Sequence, residues 1–131
     1  MPSGVRLILV MMGVALSVAG EVPEYTYRVV HTYPHDTLAF TQGLEYRDGV
    51  LYEGTGLEGS SMLRKLDLES GKVLQAVALE EQYFGEGITV LNHRIVQLTW
   101  QAHQGFVYDQ GTFKMLRTFP AKGMFNVRTV R

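Results

Sequence analysis

Short runs rich in aromatic and β-branched residues, closed by glycine, proline or aspartate, fill the chain from Tyr25 to Phe119. None of them carries the caps or the 3.6-residue period of a helix. The pattern predicts a strand over Tyr25–Tyr33, ended by Pro34-His-Asp36, and a loop at Thr37–Gly43. A hairpin of Leu44–Arg47 and Val50–Glu53 follows around Asp48-Gly49, a dipeptide suited to a turn that needs positive φ. After the glycine-rich connection Gly54–Ser60, a third strand is expected over Ser61–Leu68. The turn Glu69-Ser-Gly71 then leads to a fourth, Lys72–Leu79. Four more strands are predicted at Ile88–Leu91, Arg94–Trp100, Gly105–Tyr108 and Met115–Phe119.

The two sets of four are copies of one pattern. Phe40-Thr-Gln-Gly-Leu44 returns as Phe84-Gly-Glu-Gly-Ile88, 44 positions later (84 − 40), and the match runs without a gap to Gly56 and Trp100. After a two-residue deletion Asp67 faces Asp109 and Leu74 faces Leu116. A repeat in the low forties made of strands and turns is the period of a β-propeller blade, so the expected fold is an all-β propeller with about two blades in this chain, over 37–79 and 80–119. Closing a ring takes at least four blades, about 176 residues, so with 131 the chain is expected to be incomplete.

Arg6, the apolar run Leu7–Leu16 and the small residues Ser17-Val-Ala-Gly20 have the order of a secretory signal peptide over residues 1–20. The uncharged run is short for a membrane span, which needs roughly 20 residues. The mature chain, from about Glu21, is therefore expected outside the cytoplasm, secreted or periplasmic, with no membrane attachment after cleavage. Twelve Lys and Arg against 13 Asp and Glu, with no basic cluster, give no reason to expect a nucleic-acid partner. Cysteine is absent, so packing and strand pairing must hold the fold, and thiol chemistry is excluded.

Function in a propeller gathers where equivalent loops converge, which directs attention to Phe40–Gly43 and Phe84–Gly87. Glu86 stands between two glycines, with Phe84 before it and Trp100 at the end of the next hairpin. Held against aromatic rings, its carboxylate would be poorly solvated and its pKa raised toward the range of a neutral-pH acid or base. Its repeat partner is Gln42, so one position offers an amide and the other a carboxylate. The competing reading of Glu86 is a solvated surface charge, and that of Phe40, Phe84 and Trp100 is packing between blades. His31, His35, His93 and His103 show no ligand-like spacing, and no metal site is expected. Asp67 and Asp109 are read as turn-forming residues.

Phe40-Thr-Gln-Gly-Leu44, Leu51-Tyr-Glu-Gly-Thr-Gly56, Arg64–Leu68 with Gly71–Leu74, Tyr83-Phe-Gly-Glu-Gly87 and Gln97-Leu-Thr-Trp100 occur in order at compatible spacings. Together they resemble the plant and bacterial type of glutaminyl-peptide cyclotransferase, over roughly Tyr33 to Phe119. The resemblance implies a five-bladed propeller that converts an N-terminal glutamine of a peptide or protein to pyroglutamate with loss of ammonia, without a cofactor or catalytic zinc. It makes Glu86 the acid/base, Gln42 a substrate-orienting group, and Phe40, Phe84 and Trp100 walls of the substrate pocket. It also implies a segment after the equivalent of Phe119 with a second pocket tryptophan, and then three more blades carrying an asparagine and a lysine. Here the chain instead runs from Pro120 to Arg131 and departs from the family pattern over its last eight residues. The alternative reading is a non-catalytic propeller-repeat module that binds peptides on the same face, or an inactive fragment.

Overall fold

The computed structural model describes residues 22–122; the leader expected over 1–20 and most of the atypical tail lie outside them. Eight strands run β1 (Thr41–Arg47), β2 (Val50–Thr55), β3 (Met62–Asp67), β4 (Val73–Ala78), β5 (Phe84–Leu91), β6 (Arg94–Trp100), β7 (Gln104–Asp109) and β8 (Met115–Pro120). They form two four-stranded sheets in the orders β1-β2-β3-β4 and β5-β6-β7-β8, antiparallel throughout. Each sheet is an up-and-down meander, the form of a propeller blade. No helix occurs among the described residues.

The turns explain the sharp reversals. Asp48 and Gly49 have φ of 51° and 84°, and Asn92 and His93 have φ of 50° and 59°, the left-handed pair that a two-residue hairpin requires. The Asp67 carboxylate accepts hydrogen bonds from Ser70 N–H (2.8 Å) and Ser70 Oγ, and Asp109 accepts from Thr112 N–H and Oγ1, both at 2.8 Å. Those bonds hold both carboxylates below their usual range.

Tyr25–Tyr33 is not a strand. Its composition suits one, but a strand exists only as a member of a ladder, and no described strand pairs with it. Tyr27 is 91% exposed.

The core lies between the two sheets. Tyr52 and Leu63 from the first meet Val90, Ile95, Phe106, Tyr108 and Phe113 from the second, and Tyr83 packs edge-on against Phe106 at 5.0 Å. Burial pushes the Tyr108 hydroxyl up to about 12. Polar contacts fix the register of one sheet on the other. Gln110 donates to the Tyr52 hydroxyl at 3.0 Å. Glu45 accepts from Val90 N–H at 2.8 Å while Arg47 donates to Val90 C=O at 2.9 Å, so two side chains of β1 occupy both backbone groups of one residue in β5. Burial works against the Glu45 charge, but the bonds from Arg47 and Val90 prevail and hold its pKa below the usual value.

Candidate functional site

Gln42 and Glu86 lie in strands rather than loops, with Phe40 just before β1, and each strand carries a β-bulge there. In the first sheet Thr41 pairs with Thr55 and Gly43 with Gly54, which leaves Gln42 as the extra residue. In the second Gly85 pairs with Thr99 and Ile88 with Gln97, so Glu86 and Gly87 share the space opposite Leu98. A bulge bends its strand and re-aims a side chain. Gln42 and Glu86 thus owe their placement to paired, rigid backbone.

The aromatic residues converge. Phe84 is central, with Phe40 at 6.0 Å and Trp100 at 5.5 Å between ring centroids, both edge to face. Phe40 is 48% exposed and Trp100 43%, and neither belongs to the interior cluster, so this row is a surface feature and not packing between the sheets. Gly56 lets the row form: a Cβ there would overlap the Phe84 ring and fall 3.0 Å from Gln42 Cγ. The structure therefore brings Phe40, Phe84, Trp100 and Gln42 together at one end of the two sheets.

Glu86 lies two residues beyond Phe84 on the same strand and is half-buried. Burial raises its carboxyl above the ordinary glutamate range, and no described side chain offers it a hydrogen bond or an opposite charge. Such a carboxylate is predisposed to take up and release a proton.

Next to this row is a polar cluster that the strand and motif pattern did not disclose. Glu53 is fully buried on β2 and directly opposite Arg64 on β3. Its Oε2 accepts from Arg64 Nε at 2.8 Å and Nη2 at 2.6 Å, while Oε1 accepts from Thr41 Oγ1 and lies 3.0 Å from His35 Nε2. Arg64 Nη1 also reaches Asp36 at 3.0 Å. Asp36 is held below its usual range by the Leu38 N–H and by Arg64. His35, set aside by its spacing, thus has an acidic partner far along the chain. Phe40 and Gly56 also line a cleft of about 180 Å³ with Asp36 and Arg64, so the cluster adjoins the row.

In the second sheet the position matching Glu53 is Gln97, fully buried, with neither amide atom paired among the described residues. Its signal was visible in the ungapped repeat, which exchanges Glu and Gln twice, at 42 and 86 and again at 53 and 97.

Residues 5–124 match the family model described as glutamine cyclotransferase. A glutaminyl-peptide cyclotransferase of Arabidopsis thaliana is 45% identical over 92 residues, which are 70% of this chain and 29% of that protein. The crystal structure of Myxococcus xanthus glutaminyl cyclase is similar at a TM-score of 0.65 and 33% identity, covering 73% of this chain and 40% of that one. The chain thus spans less than half the length of either relative. Its two sheets are blades of the β-propeller fold, and with nearly its whole length matched by one family model, the chain belongs to the glutamine cyclotransferase family.

Proposed function

We propose that the two sheets form the part of a glutaminyl-peptide cyclotransferase that carries the acid/base and one wall of the substrate pocket. The reaction closes the N-terminal glutamine of a peptide or protein to pyroglutamate and releases ammonia. The single observation that carries the reading is Glu86: a half-buried carboxylate of raised pKa, on a bulge two residues from the aromatic row.

The chemistry needs one proton moved twice. The α-amine must be free of its extra proton to attack its own side-chain Cδ, forming the new C–N bond. The Cδ–Nε2 bond then breaks, and the departing nitrogen must gain a proton to leave as ammonia. A single carboxylate can accept the first proton and deliver the second. The closure is intramolecular, so holding the side chain folded back on the amine lowers much of the barrier, a task suited to Phe40, Phe84 and Trp100. Gln42, with an amide that both donates and accepts, is assigned to orient the substrate's own amide. The N-terminal charged, apolar and small-residue order supports export to the periplasm or exterior.

The test is a chimera in which these two sheets replace the matching part of the Myxococcus xanthus enzyme, assayed for ammonia release from a Gln-initiated peptide. Glu86→Gln should lower turnover by about 10²–10⁴-fold with a smaller change in KM, the effect of lost acid–base catalysis. Near-normal turnover would remove Glu86 from this role. Peptide binding without ammonia release by the parent chimera would favour the non-catalytic module.

A further inference from the structure

We propose that Ser61 is a positioning residue for Glu86, acting through the backbone of Gly85; the inference rests on the acid/base reading of Glu86. The Glu86 carboxylate has no described side chain to orient it, so its direction depends on the bulge that carries it. Ser61 is the side chain of the first sheet that bonds the backbone at the start of that bulge. It is 2% exposed, its Oγ–H donates to Leu57 C=O at 2.7 Å, and its oxygen accepts from Gly85 N–H at 2.9 Å. Its own carbonyl accepts from Leu79 N–H at 2.9 Å, which anchors it to the segment after β4.

The chemistry at that point is specific to a hydroxyl. One atom must donate and accept at once, and committing the proton to Leu57 leaves the lone pairs for Gly85. Leu57 supplies its carbonyl from a left-handed conformation, φ 80°, unfavourable for a residue with a side chain. The strain is thus located where it aims the acceptor of the Ser61 proton. Gly85 is confined from the other side as well, since a Cβ there would overlap the Thr55 carbonyl and approach Gln97 Nε2 to 3.0 Å. The residue preceding Glu86 is therefore docked on the first sheet by one hydrogen bond and one close backbone approach. The blade that holds Phe40 and Gln42 in this way also sets the position of the carboxylate in its neighbour.

The test has two independent arms. In the chain as it stands, Ser61→Ala should lower the hydrogen-exchange protection of the Gly85 amide by tenfold or more, leaving the Asp67 and Asp109 turn amides unchanged. The Glu86 carboxyl titration, followed by NMR, should fall toward that of an exposed glutamate. Unchanged protection at Gly85, or an unchanged Glu86 titration, would overturn the proposal whatever the reaction proves to be. In the chimera, Ser61→Ala should reduce kcat by about 10–100-fold, the scale of a misplaced catalytic group, with KM little changed. Combined with Glu86→Gln it should cost nothing further, because a group acting through Glu86 has no role once the carboxylate is gone. An additive loss would assign Ser61 a general structural role and overturn the proposal. If Ser61→Ala fails to fold, Ser61→Cys, with a weaker donor and acceptor at the same place, should give an intermediate loss of Gly85 protection, and full protection there would count against it. A parent chimera that releases no ammonia would refute the reaction, while the Gly85 and Glu86 measurements would still decide the positioning.

Discussion

The two blades share one framework and place their carboxylate differently. In the first, the negative charge is inside: Glu53 is fully buried and held by Arg64, Thr41 and His35, while the bulge carries the neutral Gln42. In the second, the buried position carries the neutral Gln97, and the carboxylate, Glu86, is on the bulge. The position that matches Arg64 at the repeat's later offset is Phe106, a core residue, so the second blade has no cation to hold a charge at position 97. The comparison teaches that a buried carboxylate in this framework needs an arginine on the facing strand. The Glu86 carboxylate, by contrast, sits where no such partner reaches it among the described residues.

Removing the partner in the first blade should have the largest effect. Arg64→Met leaves Glu53 buried and uncompensated, with an expected loss of about 3–5 kcal/mol in urea unfolding. Adding Glu53→Gln to the same chain should recover most of it. A loss below about 1 kcal/mol would show that Glu53 is already satisfied by its other partners.

The converse change tests the second blade. Gln97→Glu places a carboxylate where no described arginine stands, and should cost about 2–3 kcal/mol at pH 7. Such a group is neutral in the fold and charged in the unfolded chain, so the cost should shrink as pH falls toward the unfolded glutamate value of about 4.3. Gln97→Leu removes an amide with no partner among the described residues and should be neutral or stabilising. Equal destabilisation by both variants would mean that the Gln97 amide has a partner of its own.

The smallest effect should come from Glu86→Gln in the chain as it stands. A carboxyl whose pKa is raised on folding binds its proton more tightly in the native state, so it weakens stability as pH rises from the unfolded value through the folded one. Glu86→Gln should therefore raise the thermal midpoint at pH 7, and the gain should vanish below pH 4. A gain that grows on acidification would have the wrong sign for a desolvated carboxyl.

The strands from Leu44 onward and the Asp48-Gly49 turn were legible because period and turn chemistry act locally. The bulges were not: a polar residue beside glycine reads as a loop, and only the ladder on either side shows that Gln42 and Glu86 fall at bulges within strands. Tyr25–Tyr33 failed for the same non-local reason, since strand composition does not supply a pairing partner. The nearness of Phe40, Phe84 and Trp100 was legible because the repeat sets the first two at equivalent positions and the hairpin returns the third opposite Phe84. The Glu53–Arg64 pair stayed hidden because its meaning depends on register: the two residues are opposite each other only once β2 and β3 are aligned across the Gly56–Ser61 connection.

The grip of Glu45 and Arg47 on Val90 has a consequence for association. β5 is an outer strand of its sheet, and the exposed N–H and C=O of such a strand form a template on which another chain can pair. At Val90 both groups are already taken by side chains of opposite charge, and an incoming strand would have to displace an acceptor and a donor together. The contact that registers one blade on the next therefore also acts as a guard against strand addition along that edge. Unlike a covering loop, it is built from charge, so high salt or a pH low enough to protonate Glu45 should open the edge to aggregation.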